Sequence, residues 1–204
     1  MKKWIKVIAC ALVCVLVSSL VQIGGIENVE ASPKSNAMKA YKEFLKKNSW
    51  QDGDAYFSGN YFGLKDINGD KIPELIIVSG KNKSGERGYT IVAYNADYDE
   101  AEYIYNSWIC DDCYFNASKK CLIDIGVGGS DAIIKTAFKY TQDGEVKYLA
   151  DIYVENGKTY RATINEKKAS KKKVLAKFDS YLKGAKLLKT PYKITKKNIK
   201  KYLK

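Results

Sequence analysis

Residues that carry oxygen ligands alternate through one short segment in the first half of the chain. They occupy positions 1, 3, 5, 7 and 9 of that segment, which are Asp66, Asn68, Asp70, the backbone carbonyl of Ile72, and Glu74. A loop that curls around one ion points every second residue inward. Calcium is a hard cation that takes about six to eight oxygen ligands in such loops. The five residues therefore predict a calcium-binding loop.

Strand-like sequence flanks this loop on both sides, as Tyr-Phe-Gly-Leu-Lys before it and Leu-Ile-Ile-Val after it. Position 12, where an EF-hand has glutamate, is Ile77, which argues against a helix–loop–helix site. Residues 61–78 resemble the calcium hairpin of FG-GAP and VCBS-type repeats. They also resemble the Asp-x-Asn-Gly-Asp-x-x-Pro-Glu-Leu hairpin of many small secreted bacterial proteins. Lys71 stands where the FG-GAP and VCBS-type pattern has glycine, and Glu74 stands where that pattern has aspartate. The resemblance implies one structural calcium site.

The same segment also fits a hairpin that holds no ion. Aspartate and asparagine side chains accept hydrogen bonds from backbone N–H groups two residues further on, which closes polar turns between strands. A polar Asx turn at Asp66–Glu74 is therefore the alternative to a calcium loop, and the sequence leaves both open.

The composition restricts catalytic chemistry. The chain has no histidine, which removes the commonest general base and the serine–histidine and cysteine–histidine arrangements. A pair of carboxylates is the hydrolytic option that remains, and Asp124 and Asp131 flank a glycine-rich bend where such a pair would lie. Nothing in their spacing selects them, so the sequence favours a protein without catalytic residues.

The first thirty-one residues have the organisation of a secretory signal peptide. Three lysines precede an apolar run from Val7 to about Ile26, and small residues at 29 and 31 allow cleavage before Ser32. The run is also long enough for an uncleaved membrane anchor, and that alternative stays open. Cleavage predicts a single α+β domain over 32–204, secreted or on the cell surface, with no membrane span.

Three cysteines lie after the predicted cleavage site. An odd number of cysteines outside the cell predicts one disulfide and one remaining thiol, and the pairing among Cys110, Cys113 and Cys121 stays open. Cys110 and Cys113 have the spacing of a redox motif, but two aspartates between them would raise the thiol pKa. Zinc is not expected, because a fourth ligand is missing.

Hydrophobic periodicity predicts the elements that position the loop. A cap at Ser35 or Asn36 begins an N-terminal amphipathic helix. Eight strands are predicted, at 60–65, 73–79, 88–94, 101–107, 120–126, 131–140, 145–154 and 158–164. Short turns such as Asn156-Gly157 favour antiparallel pairing of these strands.

Two amphipathic helices are predicted near the end of the chain, one with an apolar stripe over Val174–Ala185 and one capped by Thr195. The predicted fold class is therefore α+β. It has an N-terminal helix, an antiparallel β-meander of about seven or eight strands, and two C-terminal amphipathic helices that cover the sheet together with the first.

The C-terminal end, 167–204, is strongly basic. It holds fifteen lysines and one acid, Asp179, whereas the body, 32–166, is mildly acidic. Such charge attracts polyanions in a salt-sensitive way that is blind to sequence. The alternative is that these lysines are only the solvated sides of two amphipathic helices.

These observations favour a secreted or cell-surface, calcium-stabilised binding protein. The expected partner is a cell-wall polyanion or a glycan, and no specific nucleic acid is expected. Two alternatives remain: a secreted polysaccharide hydrolase that uses a carboxylate pair, and an inhibitor or partner module of another exported protein. The ligand and the oligomeric state stay open.

Overall fold

Antiparallel sheets dominate the part of the chain that the structure describes. The structure is a computed structural model, and it describes residues 32–47, 61–78, 88–107, 112–126 and 131–204. Its helices are α1 (Pro33–Lys46), α2 (Lys171–Leu182) and α3 (Lys196–Tyr202). Its strands are β1 (Tyr61–Lys65), β2 (Glu74–Val78), β3 (Tyr89–Asn95), β4 (Glu100–Asn106), β5 (Asp112–Asn116), β6 (Cys121–Gly126), β7 (Ile133–Tyr140), β8 (Val146–Glu155), β9 (Lys158–Ile164), β10 (Lys167–Lys168), β11 (Lys186–Leu187) and β12 (Tyr192–Lys193).

The twelve described strands divide between two sheets. One sheet has five strands in the order β12-β1-β2-β3-β4, and the other has seven in the order β10-β9-β8-β7-β6-β5-β11. Every pairing between neighbours is antiparallel. The arrangement is sandwich-like, with helices on the outer faces.

The predicted fold class is therefore wrong as a description of the whole. A single meander of seven or eight strands followed by two C-terminal helices does not fit two sheets with twelve strands. Strands do occur at all eight predicted segments. The error is in the pairing, because alternation along a strand identifies the strand and not the sheet it joins.

The segment after α2 is the main source of this error, because it contributes a strand to each sheet. Lys186 and Leu187 pair with β5 at the edge of the seven-stranded sheet. Tyr192 and Lys193 then pair with β1 at the edge of the five-stranded sheet. The chain thus crosses from one sheet to the other before α3 begins, and it covers an edge of each.

Hydrophobic residues fill three layers. Leu75 and Ile77 of β2 point towards α1 and α3, and they form one core with Tyr41. The next residues along the strand, Ile76 and Val78, point the other way and fill the space between the sheets. This explains why β2 is buried along its whole length, since successive side chains alternate between faces.

The third layer lies on the outer face of the seven-stranded sheet. There Val174 and Phe178 of α2 pack against Ile123 of β6 and Ile152 of β8. All four side chains are fully buried. Burying one such side chain stabilises a fold by about 2 kcal/mol, so this layer fixes α2 on the sheet.

Local signals place the first helix and one hairpin. Helix α1 begins at Pro33, with Ser32 as its N-cap, slightly before the predicted caps, because proline has the φ that the first helical position requires. Asn156 and Gly157 have φ values of 48° and 73°, as a tight turn between β8 and β9 requires.

Residues Ser32–Lys204 form one compact unit. Among the residues that the structure describes, no helix has both the length and the apolar character needed to cross a membrane. The predicted signal peptide, 1–31, lies outside the described residues, and its cleavage stays a prediction. Cys110 and the glycine-rich bend at 127–130 also lie outside them.

Candidate metal-binding loop and basic surface

The predicted calcium loop joins β1 to β2. These strands pair in register from Tyr61 opposite Val78 to Lys65 opposite Glu74, so the loop closes directly at the end of the ladder. Ile67, inside the loop, is 1% exposed and packs between the two sheets. This apolar anchor holds the loop against the sandwich while its neighbours remain polar.

The first carboxylate of the loop organises its backbone. Asp66 Oδ1 accepts a hydrogen bond from the N–H of Gly69 at 2.7 Å, and its Oδ2 accepts one from the N–H of Lys71 at 3.2 Å. Asp70 Oδ1 accepts a hydrogen bond from the N–H of Ile72 at 2.7 Å. Both carboxylates therefore bind the backbone of the bend, although Asp70 remains exposed.

Asn68 links the two halves of this arrangement. Its Oδ1 accepts a hydrogen bond from the N–H of Asp70 at 3.0 Å, and its Nδ2 donates to Asp70 Oδ2 at the same distance. Asn68 is only 8% exposed. The side chain thus occupies the inner side of the loop, where the alternation pattern predicts it.

Glu74 is the most deeply buried acid of the loop, at 2% exposed. Its Oε2 accepts a hydrogen bond from the N–H of Ile67 at 2.7 Å. Removal from water raises the pKa of this carboxyl from 4.5 to about 7, and the negative charges of Asp70 and Asp66 add to the rise. The hydrogen bond from Ile67 opposes it.

Two positions of the loop have left-handed backbone conformations. Gly69 has a φ of 84°, which glycine adopts without strain, and Lys71 has a φ of 74°, which costs free energy for a residue with a side chain. Lys71 occupies the position where the resembling hairpins have glycine. The backbone at Lys71 is therefore left-handed and carries a residue that strains it.

The turn after β5 reaches this loop from the other sheet. A Cβ atom built on Gly69 would lie 2.6 Å from Nζ of Lys120. The ammonium group thus lies over the outer side of the bend, where a side chain at 69 would meet it. Its positive charge is close to the acidic loop, which the sequence pattern could not reveal, because the turn is about fifty residues away along the chain.

The structure brings Asp66, Asn68, Asp70 and Glu74 onto one bend. The side-chain hydrogen bonds described above for these four residues are made within that bend. In the described part of the chain, no three acidic or cysteine side chains converge closely enough to hold a metal ion in this conformation. The donor set, which contains only carboxylate and amide oxygens, fits calcium. Binding it would need the carboxylates to turn from backbone N–H groups towards one point.

The candidate carboxylate pair is not assembled in the sheet. Asp124 lies opposite Thr136 in the β6–β7 register and accepts a hydrogen bond from the hydroxyl of Tyr105. Asp131 is exposed in the turn before β7. Asp131 lies five positions before Thr136, the residue opposite Asp124. The two acids are therefore not neighbours across the strands.

A buried acid that the sequence did not single out lies further along the same sheet. Asp151 is 8% exposed and forms an ion pair with Arg161. It also accepts a hydrogen bond from the hydroxyl of Thr136 at 3.1 Å. These contacts satisfy the carboxylate within the sheet, which is a structural role.

Two of the three cysteines lie on opposite faces of the seven-stranded sheet. Cys113 is buried between the sheets, and Cys121 is buried beneath α2. Cys113 lies opposite Asp124, three residues from Cys121 on β6, and an odd separation along a strand reverses the face. A disulfide between Cys113 and Cys121 is therefore incompatible with this register, and Cys110 lies outside the described residues.

All fifteen lysines of the basic end are exposed. Within the described residues, none of them takes part in an ion pair, whereas Lys46, Lys147 and Arg161 do. Twelve of the lysines come from α2, α3 and the short strands β10, β11 and β12, and Lys183, Lys189 and Lys204 lie outside these elements. Because α2 and α3 pack on different sheets, the exposed positive charge is spread over both helix layers, and within the described residues no acid forms an ion pair with it.

A groove of about 500 Å³ lies between α1 and the β3–β4 hairpin. Phe44, Tyr98 and Tyr103 line it together with charged residues of both signs. Tyr98 is 72% exposed and Tyr103 is 50% exposed. Flat aromatic surfaces beside polar groups are typical of small-ligand sites.

Comparison with known proteins identified no relative of this chain. No family model matches it, and no curated protein or solved structure matches it significantly. The resemblance to calcium hairpins therefore depends on residues 61–78 alone, and any function must be argued from the chain's own residues.

Proposed function

We propose that the protein is a calcium-stabilised binding protein that acts outside the cytoplasm and holds an anionic polymer. The observation that carries this proposal is the set of fifteen exposed lysines that no carboxylate of the described chain neutralises. A surface of one charge sign attracts polymers of the opposite sign over about 10 Å at moderate salt. Wall polymers with repeated phosphate groups are the natural class for an exported protein.

Calcium has a structural role in this proposal. The negative charges of Asp66, Asp70 and Glu74 lie on one bend, and burial makes ionisation of Glu74 costly. A divalent cation would offset both effects and fix the β1–β2 hairpin. Extracellular calcium modules bind with Kd of about 10⁻⁴–10⁻³ M, so ordinary extracellular calcium would fill the site.

Retention on an anionic polymer tests the binding function. We expect the protein to bind a resin carrying poly(glycerol phosphate) in about 50 mM salt and to elute as salt increases, because attraction of exposed charges is screened. A resin of the same neutral backbone without phosphate is the matched control. Equal retention of the protein on the two resins would contradict the proposal.

A neutral glycan is the second candidate ligand. The groove between α1 and β4 favours it, since the rings of Tyr98 and Tyr103 are exposed there beside Lys39, Glu43 and Asp99. Binding of this kind would be insensitive to salt and would be lost in a Tyr98→Ala, Tyr103→Ala variant. Glycan-array binding with and without added salt separates the two candidates.

A further inference from the structure

Two lysines from separate elements lie over Tyr181 on the outer face of the seven-stranded sheet. The Nζ atoms of Lys119 and Lys177 lie 5.6 and 5.4 Å from the centre of the Tyr181 ring. Lys119 is in the turn after β5, and Lys177 is on α2. The ring itself is 8% exposed, so it holds two ammonium groups at the surface.

Strand register places Lys139 on the same face of the seven-stranded sheet. Leu122 lies opposite Phe138, so Cys121 and Lys139, one step beyond that pair, are neighbours on the face that α2 covers. Burial raises the pKa of the Cys121 thiol, and the positive charges of Lys139 and Lys119 oppose the rise. We call Lys119, Lys139 and Lys177 the lysine cluster.

None of the three lysines of the lysine cluster forms an ion pair within the described chain. Lys147, opposite Lys139 on β8, is different, because it pairs with Glu145 at 2.9 Å. The only acid of α2, Asp179, instead lines a groove beside Lys171. Like charges on one surface repel each other, and a bound anion would remove that repulsion.

The geometry points to the lysine cluster as the site that binds individual phosphate groups of a phosphodiester polymer. This proposal rests on the polyanion-binding function above. An ammonium group is a compact charge with three rotatable donors, which suits phosphate oxygens. The three groups come from a turn, a strand and a helix, and they lie on the face of the seven-stranded sheet that α2 covers. The remaining lysines of the basic end supply attraction over distance, whereas this cluster supplies direct contact.

Two triple variants with equal loss of charge test the proposal. One is Lys119→Gln, Lys139→Gln, Lys177→Gln in the cluster. The other is Lys196→Gln, Lys197→Gln, Lys200→Gln on α3, whose exposed side chains lie on the other sheet's helix layer. The measurement is the affinity of the purified protein for soluble poly(glycerol phosphate) over a series of salt concentrations, with polyglutamate as a carboxylate polymer.

We expect the cluster variant to bind poly(glycerol phosphate) at least tenfold more weakly, with a salt slope lower by about two to three. The α3 variant should lose about threefold or less. The Lys→Arg version of the cluster variant should keep most of the binding, since it keeps the charge. Lys119→Gln alone, in an exposed turn, gives a smaller loss and covers the case in which the triple variant does not fold.

The outcomes separate this proposal from the function on which it rests. Equal losses in the two triple variants would overturn the lysine cluster and leave diffuse polyanion binding intact. Equal effects on polyglutamate and on the phosphate polymer would overturn the assignment to phosphate. Absence of polymer binding by the unmodified protein would overturn both proposals.

Discussion

The buried carboxyl group of Glu74 destabilises the loop when no cation offsets its charge. Its carboxyl group is almost fully buried at the start of β2, with Asp66 and Asp70 close enough to add to its raised pKa. The alternation pattern identified Glu74 as a ligand but not as a buried group. Burial comes from Ile67 and the second sheet, which are tertiary features.

The raised pKa of Glu74 predicts a pH dependence in calcium-free buffer. A carboxyl with a folded-state pKa of about 7 and an unfolded value near 4.5 holds its proton longer in the folded protein. Its stabilising contribution is therefore present below pH 4.5 and is lost as the pH rises through 7. The loss is on the order of 3 kcal/mol.

Denaturant unfolding at pH 5 and pH 8 measures this loss. Glu74→Gln, which cannot ionise, should be less sensitive to pH than the unmodified protein. Glu43→Gln, an exposed acid of α1, is the control and should leave the pH dependence unchanged. The same pH dependence in Glu74→Gln and the unmodified protein would contradict the assignment.

Lys71 carries the backbone strain of the loop. Its φ of 74° is in the left-handed region, which costs a non-glycine residue about 1 kcal/mol or more. Lys71→Gly should therefore raise the free energy of unfolding by up to about 1 kcal/mol, partly offset by the greater freedom of the unfolded chain. Lys65→Gly in β1, where the backbone is extended, should destabilise instead. A loss of stability in Lys71→Gly would contradict the loop conformation.

At the scale of elements, the C-terminal segment closes one side of the sandwich. Gly63 on β1 lies so close to this segment that an added Cβ would be 2.4 Å from the backbone oxygen of Lys189. A backbone atom cannot move away as the end of a side chain can. The contact therefore depends on the path that the chain takes between β11 and β12.

Gly63→Ala tests that path. Overpacking of this kind costs typically 1–3 kcal/mol, so the variant should unfold at lower denaturant concentration. Gly144→Ala in the β7–β8 turn, where a Cβ meets no atom within 4 Å, separates overpacking from the general effect of replacing glycine. Gly144 has a positive φ, so it carries a conformational cost of its own. A smaller loss in Gly63→Ala than in Gly144→Ala would contradict the observed path.

The positions of the strands were more predictable from the sequence than their pairing. The sequence pattern located eight strands to within about two residues, although β4 has no fully buried side chain and β2 is buried along its whole length. The two-residue strands at 167–168, 186–187 and 192–193 are too short to show a period, and they exist only because a neighbouring edge pairs with them. Assignment of strands to two sheets depends on contacts distant in sequence, which periodicity does not encode.

At the scale of the whole molecule, charge is divided between a mildly acidic body and a basic end. The sequence showed this division, and the structure shows that the basic side chains are exposed. Lys119 and Lys139 belong to the body and were not part of the predicted basic surface. The packing of α2 on the sheet brings Lys119 and Lys177 to the Tyr181 ring, and strand register places Lys139 on the same face of the sheet.

The predicted export can be tested on the whole chain. The signal-like N-terminus predicts that the mature protein begins at Ser32, which is the N-cap of α1. Mass spectrometry of protein recovered from the culture medium or cell surface should give an N-terminus at Ser32. Recovery of a chain that retains residues 1–31 in the membrane fraction would favour the anchor instead.

The melting temperature of the protein with and without calcium tests whether the β1–β2 loop coordinates this ion. For a Kd near 10⁻⁴ M, 5 mM calcium stabilises the folded state by about 2 kcal/mol, which raises Tm by about 5 °C for a domain of this size. Asp66→Ala or Asp70→Ala should abolish the calcium-dependent rise, and Asp179→Ala at an exposed position of α2, on the outer face of the seven-stranded sheet, should retain it. Equal melting temperatures of the unmodified protein in calcium and in chelator would contradict the claim.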